Sequence, residues 1–194
     1  MASPTLALPA AGGTKPRGVL IQAMLLVVAG GTMLFGLLLA AYLHMRRISH
    51  PFPAEGTEID QYWGNIMVLT MLLSAFTVEW GCSALRRGER KQAMAGFGLT
   101  VALGLCFLNL LSFSAGHVEF DAISNPYALV VTAMAMALGI VVGIGVAMAS
   151  FTLFRVAGRQ LLEPDTEQPR ATAIYWQFTV VASVAVWYTV IVLK

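Results

Sequence analysis

One acidic side chain, Glu79, lies inside a long apolar stretch of this 194-residue sequence, and no other Asp, Glu, Lys or Arg does so. An ionisable residue inside a membrane span is costly and is by default a candidate functional group, such as a proton-coupling carboxylate. Glu79 precedes Arg86 by about 10 Å of helix, so we expect it near the membrane edge. Two interpretations stay open. The acid is satisfied by Ser83, Arg86 or a neighbouring helix, or it faces a partner subunit or a lipid cleft.

Histidine and cysteine are the other residues that could carry chemistry. The three histidines, His44, His50 and His117, fall at the ends of apolar runs or in loops. A haem held between helices needs its ligands deep in a span. Cys82 lies about one turn from the inner end of its apolar run and Cys106 lies about 20 Å of helix from that end, whereas a disulfide needs Cα atoms within roughly 7 Å. No motif typical of a zinc site or a phosphate-binding loop occurs. We therefore predict no catalytic, cofactor-binding or metal-binding residue in this chain.

The elements that position these residues follow from composition. Hydrophobic residues make up 58% of the chain and charged residues 11%, whereas soluble domains carry about 25% charged residues. Five apolar runs each exceed the roughly 20 residues that a helix needs to cross a bilayer. We predict an all-α membrane protein in which a flexible tail, 1–17, precedes one domain, 18–194. The predicted transmembrane helices are about 18–44, 62–85, 92–114, 126–154 and 173–193.

The distribution of basic residues predicts the orientation of the chain. Nine of the 12 Lys and Arg residues fall on one side of the predicted spans. The positive-inside rule then places the N-terminus inside and the C-terminus outside. The short basic turn "RRGERK" also predicts that the second and third helices are antiparallel neighbours. The net charge of +2 gives no signal for nucleic-acid binding.

Small residues in the fourth run predict close helix packing. They recur every four residues, at Ala135, Gly139, Gly143 and Ala147. Small residues at this spacing let another membrane helix come near. Gly145 adds a second small face to the same helix.

Several stretches carry a family resemblance. They are, in order, "FGLLLAAYLHMR", "NIMVLTMLLSAFTVEWGCSAL", "RRGERKQAM", "YALVVTAMAMALGIVVGIG" and "AIYWQFTVVASVAVWY". In this order they resemble subunit III of the haem-copper oxidases (cytochrome c and quinol oxidases), in its short five-helix bacterial form. Some polar residues that are usual in that family are replaced. Gln177 stands where the closing helix often carries His, and Leu138 and Val141 stand where the fourth helix usually carries a pair of His. The chain therefore resembles a divergent member.

The resemblance implies a V-shaped bundle and an accessory role in a respiratory terminal oxidase of the bacterial inner membrane. Such a subunit is not catalytic alone, although it belongs to an oxidoreductase complex. Haem and copper are expected in the partner subunits, and oxidase subunit I, other oxidase subunits and phospholipids are the expected partners. The alternatives are a subunit III-like partner of a nitric oxide reductase, a small transporter that uses Glu79, and an assembly or anchoring factor.

Five residues are candidates for contacts with lipid or with a partner subunit. Anionic lipid head groups attract basic residues at the membrane edge, and Trp is typical of membrane interfaces. The candidates are Glu79, Trp80, Arg86, Arg87 and Trp176.

Overall fold

The computed structural model describes residues 18–48, 61–117, 126–159 and 167–192, and the tail predicted at 1–17 lies outside this part. The described residues form five α-helices, and each is long and apolar enough to cross a membrane. The predicted class, an all-α membrane protein with five spans, is therefore confirmed, while the orientation and the V shape stay predictions. The helices are α1 (Val19–Ile48), α2 (Gln61–Arg86), α3 (Arg90–His117), α4 (Pro126–Ala157) and α5 (Glu167–Trp187), and a π-helical turn, Tyr188–Val192, continues α5.

The helices extend beyond the apolar runs at several ends. The largest difference is in α5, which begins at Glu167 rather than at the predicted residue 173. Likewise, α1 continues to Ile48 and includes Arg46 and Arg47 in its last turn. An apolar run marks only the part of a helix in hydrocarbon. Polar residues in the head-group layer can remain helical, because the helix still pairs their backbone groups.

A tight glycine turn joins α2 to α3. The amide of Gly88 donates to the carbonyl of Leu85 (3.1 Å), and the amide of Glu89 donates to the carbonyl of Ala84 (2.9 Å). This pair of bonds is a Schellman motif, which needs a left-handed residue after the helix. Gly88 supplies it with a φ of 72°. The turn makes α2 and α3 antiparallel, and the two helices pack against each other, as the sequence predicts.

The closest approach of two helices is the crossing of α2 and α3 at Gly81 and Gly96. A Cβ atom added to Gly96 would lie 2.6 Å from the Cα atom of Gly81 and 3.1 Å from the carbonyl oxygen of Thr77. One turn further, the hydroxyls of Thr77 and Thr100 are hydrogen-bonded across the interface (2.8 Å). Small residues that let backbones meet, together with hydroxyl bonds, are typical of helix pairs in membranes.

Helix α5 is the centre of the bundle and packs against α1, α2 and α4. In the most apolar 18-residue stretch of α5, 50% of the residues are buried inside the bundle, whereas in that of α1 only 6% are. Helix α1 therefore contacts the bundle along one narrow face and leaves most of its apolar surface for lipid or another protein.

The small residues of α4 pack differently from the prediction. Two glycines of α4 make close contacts: an added Cβ atom on Gly139 would lie 3.3 Å from the side chain of Leu111 on α3, and one on Gly145 would lie 3.0 Å from the ring of Trp176 on α5. An added Cβ atom on Gly143 would meet nothing within 4 Å, and Ala147 is exposed. The prediction of close packing is therefore confirmed at Gly139 and Gly145, whereas Gly143 and Ala147 do not contribute to it. A repeat of four residues turns by about 40° per step around a helix with 3.6 residues per turn, so the far end of the stripe turns away from the neighbour.

Hydrogen bonds from polar side chains link the helices at the end of the bundle where α2 meets α3. Arg90, at the start of α3, donates from Nε to the carbonyl of Val156 (2.9 Å) and from Nη2 to the carbonyl of Ala157. These carbonyls belong to the last turn of α4, where a cation also complements the helix dipole. Between α4 and α5, the amide of Gln168 donates to the hydroxyl of Thr152 (3.2 Å) and accepts from Arg155.

Candidate functional site

A small cleft lies between the last turns of α2 and the first turns of α5. Its volume is about 130 Å³. We call it the α2–α5 cleft. The lining residues are Glu79, Cys82, Leu85 and Arg86 from α2, and Pro169, Arg170, Ala173 and Ile174 from α5.

Three of the lining residues are charged, namely Glu79, Arg86 and Arg170, and all three are exposed. All three lie near enough to the thiol of Cys82 to interact with it electrostatically. Among the described residues none of the three forms an ion pair, and the ion pair found there joins Arg87 to Glu89 at 3.4 Å. Two cations and one carboxylate thus share a space in which no described side chain neutralises the excess positive charge.

Hydrogen bonds between α2 and α5 hold the walls of the α2–α5 cleft. The thiol of Cys82 contacts the carbonyl of Pro169 at 3.4 Å. About two turns deeper, the side-chain amide of Gln177 donates to the carbonyl of Ala75 (3.2 Å). Both contacts join the same two helices, so the α2–α5 cleft is a feature of the packed bundle and does not belong to a single helix.

Four of the five candidate contact residues lie on the surface at the end of α2. Glu79, Trp80, Arg86 and Arg87 are exposed, and the side chain of Trp80 has 43% of its surface accessible. The hydroxyl of Ser83 donates to the carbonyl of Trp80 (3.0 Å), so Ser83 does not satisfy the acid. Glu79 and Arg86 line the same cleft, which fits the interpretation that the acid faces a cleft.

Trp176, the fifth candidate, is a core residue in the structure. Its side chain has no exposed surface, so it cannot touch lipid or a partner subunit, and the expectation for this residue is corrected. Its indole nitrogen donates to the hydroxyl of Ser74 (2.9 Å). The ring fits between two glycines, since Cβ atoms on Gly104 and Gly145 would lie 2.7 and 3.0 Å from it.

Sequence reasoning missed Arg170 as a site residue. The apolar run of α5 begins at Ala173, so the sequence places Arg170 in the preceding loop. In the structure α5 already begins at Glu167. The signal that could have found it is the spacing of Arg170 and Ile174, which are four residues apart and therefore lie on one face of a helix.

A second and larger cavity of about 470 Å³ lies between α2, α3, α4 and α5. Its walls are mostly apolar and include Phe107, Leu111, Leu138 and Ile191. Its size falls within the range of about 300–1,000 Å³ that is common for small-molecule sites. The size and the apolar walls of this cavity suit an apolar ligand.

Metal ligands do not come together in the described part of the chain, where no three His, Cys, Asp or Glu side chains form a group that could hold a metal ion. His44 is exposed near the end of α1. Cys82 and Cys106 are both free, and the first is buried while the second is exposed.

Two curated proteins, each named cytochrome c oxidase subunit 3, are similar in sequence to this chain. The protein of Thermostichus vulcanus is 25% identical over 160 residues, which are 81% of this chain and 79% of that protein. The protein of Synechocystis sp. is 28% identical over 106 residues, which are 54% of this chain and 45% of that protein. No family model matches the chain. The resemblance that the sequence motifs indicate is confirmed at the level of a divergent relative.

Proposed function

We propose that this chain, a divergent relative of the cytochrome c oxidase subunit 3 proteins, is an accessory, non-redox subunit III of a respiratory haem-copper terminal oxidase. It packs beside oxidase subunit I and other subunits in the bacterial inner membrane and binds phospholipids. Haem and copper belong to the partner subunits. The chain contributes stability and sustained oxygen reduction by the complex, while the chemistry takes place in subunit I.

The similarity to two proteins of that name carries the proposal, since one match extends over 81% of this chain. A match of this extent spans several of the membrane helices rather than a single apolar segment. Apolar composition alone can produce resemblance between unrelated membrane helices. This chain also has contacts that depend on a specific helix packing, namely the tight turn at Gly88 and the hydrogen bond from Arg90 to the end of α4.

The surface of the bundle supports an accessory role in a membrane complex. Helix α1 exposes large apolar side chains along its length, among them Leu26 (76%), Met33 (76%) and Leu37 (70%). Such a surface is stable only against lipid tails or another apolar helix. A subunit with one weakly buried helix has a broad surface to offer to a neighbouring subunit.

The transporter alternative gains no support from the place of Glu79. Ionisable residues in transporter spans almost always face the bundle interior or a water-filled cavity. Glu79 is exposed and lines a small cleft at the edge of two helices. The nitric oxide reductase alternative differs only in the partner, which the proteins that co-purify with the chain would identify.

The proposed role predicts a shorter working lifetime for an oxidase that lacks this chain. We expect the complete oxidase and the oxidase without this chain to begin at similar rates of oxygen consumption. The rate of the complex without the chain should then decline sooner during continuous turnover, because a stabilising subunit and its lipids are missing. Oxygen consumption is followed with an electrode, and adding the purified chain back is the control. An unchanged lifetime without the chain would contradict the proposed role.

A further inference from the structure

We propose that the α2–α5 cleft binds the phosphodiester head group of an anionic membrane lipid between Arg86 and Arg170. The proposal deepens the lipid binding of the proposed function, and it rests on that function only in placing the chain in a membrane. It assigns the binding to one cleft and adds Arg170, which the sequence did not identify.

The charges of the α2–α5 cleft favour a ligand with one negative charge. Arg86 and Arg170 each contribute one positive charge and Glu79 contributes one negative charge, so the cleft carries a net charge of about +1. Guanidinium groups bind phosphate oxygens with paired hydrogen bonds, which makes arginine well suited to this ligand. The dipoles of the adjacent helix ends oppose each other, since α2 ends where α5 begins. The side chains therefore determine the sign of the potential.

The other charged residues near the cleft that the structure describes do not compensate for its excess positive charge. Arg87 is engaged with Glu89. Glu167, in the first turn of α5, accepts a hydrogen bond from the amide of Gly18 at the start of α1 (2.6 Å), so its carboxylate is occupied on the side of α5 that meets α1. Arg86 and Arg170 are thus the two basic residues of the cleft that remain available for an anion within the described part of the chain.

The size of the α2–α5 cleft and the surface around it indicate a lipid head group. A volume of about 130 Å³ is below the roughly 300 Å³ of typical sites for larger small molecules. Deeper along both helices, exposed apolar side chains lie on the faces that carry the charged residues of the cleft. On α2, Leu72 is exposed and lies on the face of Glu79 and Arg86, since these residues are seven apart. On α5, Val181 is exposed and lies on the face of Arg170.

A lipid in this position would span α2 and α5. Its phosphodiester would lie between the two arginines at the membrane edge, and an acyl chain would extend along α2 and α5 past the Gln177–Ala75 hydrogen bond. Glu79 lies about 10 Å deeper along α2 than Arg86. Its carboxylate lowers the positive potential of the cleft, so its removal should strengthen the binding of an anion.

The test is lipid binding to the full chain in mild detergent, followed by native mass spectrometry with added phosphatidylglycerol. We expect Arg86→Gln and Arg170→Gln each to weaken binding about fivefold, the factor that corresponds to one basic residue near an anionic head group. Glu79→Gln should strengthen binding. Lys91→Gln is the matched control, because Lys91 is a basic, exposed residue near the start of α3 and outside the cleft, and it should change binding less than twofold.

Two comparisons on the unaltered chain keep the test decisive if a variant fails to fold. Diacylglycerol, which has no phosphate, should bind much more weakly than phosphatidylglycerol. Inorganic phosphate, which has no acyl chains, should not displace the lipid. Equal binding of diacylglycerol, displacement by inorganic phosphate, or an equal loss in Lys91→Gln and Arg86→Gln would overturn the proposal. The assay contains no oxidase, so its result is independent of whether the chain assembles with one.

Discussion

Replacing Trp176 with Ala is expected to lower the free energy of unfolding by about 3–5 kcal/mol, the usual cost of removing a buried aromatic side chain. The indole has no exposed surface and fills the space that Gly104 and Gly145 leave beside it. Its loss opens a cavity at the centre of α5, which packs against three other helices. The hydroxyl of Ser74 also loses the donor of its 2.9 Å hydrogen bond.

The matched control for this substitution is Trp80→Ala. Trp80 is also a tryptophan of a membrane helix, but 43% of its surface is accessible and it lies at the end of α2. We expect it to change the free energy of unfolding by less than about 1 kcal/mol. Both variants can be measured by reversible unfolding with dodecyl sulfate in mixed micelles. If the two substitutions cost the same, Trp176 is not the centre of the core.

Replacing Gly96 with Ala is expected to cost about 2–3 kcal/mol, within the range for overpacking of a tight interface. The new methyl group would lie 2.6 Å from the Cα atom and 2.7 Å from the amide nitrogen of Gly81. These are backbone atoms, which cannot move aside as the end of a side chain can. Helices α2 and α3 would have to separate, which would also lengthen the hydrogen bond between Thr77 and Thr100.

Gly98→Ala is the control, because it introduces the same methyl group two residues further along the same helix. An added Cβ atom at Gly98 meets nothing within 4 Å. Alanine is the better helix former by up to about 1 kcal/mol, so this variant should be as stable as the unaltered chain or slightly more so. If Gly96→Ala and Gly98→Ala had the same free energy of unfolding, the helices would not be tightly packed at the α2–α3 crossing.

The number and class of the helices could be predicted from the sequence because the bilayer imposes them. A span needs about 20 apolar residues, and five runs of that length are present. The helix ends could not be predicted as well, because hydropathy does not detect a helix that continues into the head-group layer. Helix α5 shows this most clearly, since it begins at Glu167 in a polar segment.

The candidate site could be predicted only in part. Glu79 and Arg86 stand out because charge is rare in an apolar sequence, and both line the α2–α5 cleft. The sequence predicts Trp176 at the surface because tryptophans near span ends are usually interfacial. Its burial depends on Gly104 and Gly145, which belong to two other helices. Likewise, Arg170 reaches the cleft through the packing of α5 on α2. Contacts between distant segments of this kind leave no local pattern in the sequence.

Membership in a respiratory terminal oxidase can be tested by purifying the tagged full chain from its own membranes in mild detergent, with an absorption spectrum and mass spectrometry of the proteins that accompany it. We expect haem absorbance and a partner with several histidines in its membrane spans, in a preparation that consumes oxygen. A preparation of the chain without haem, or one that reduces nitric oxide and not oxygen, would show that the chain is not a terminal oxidase subunit.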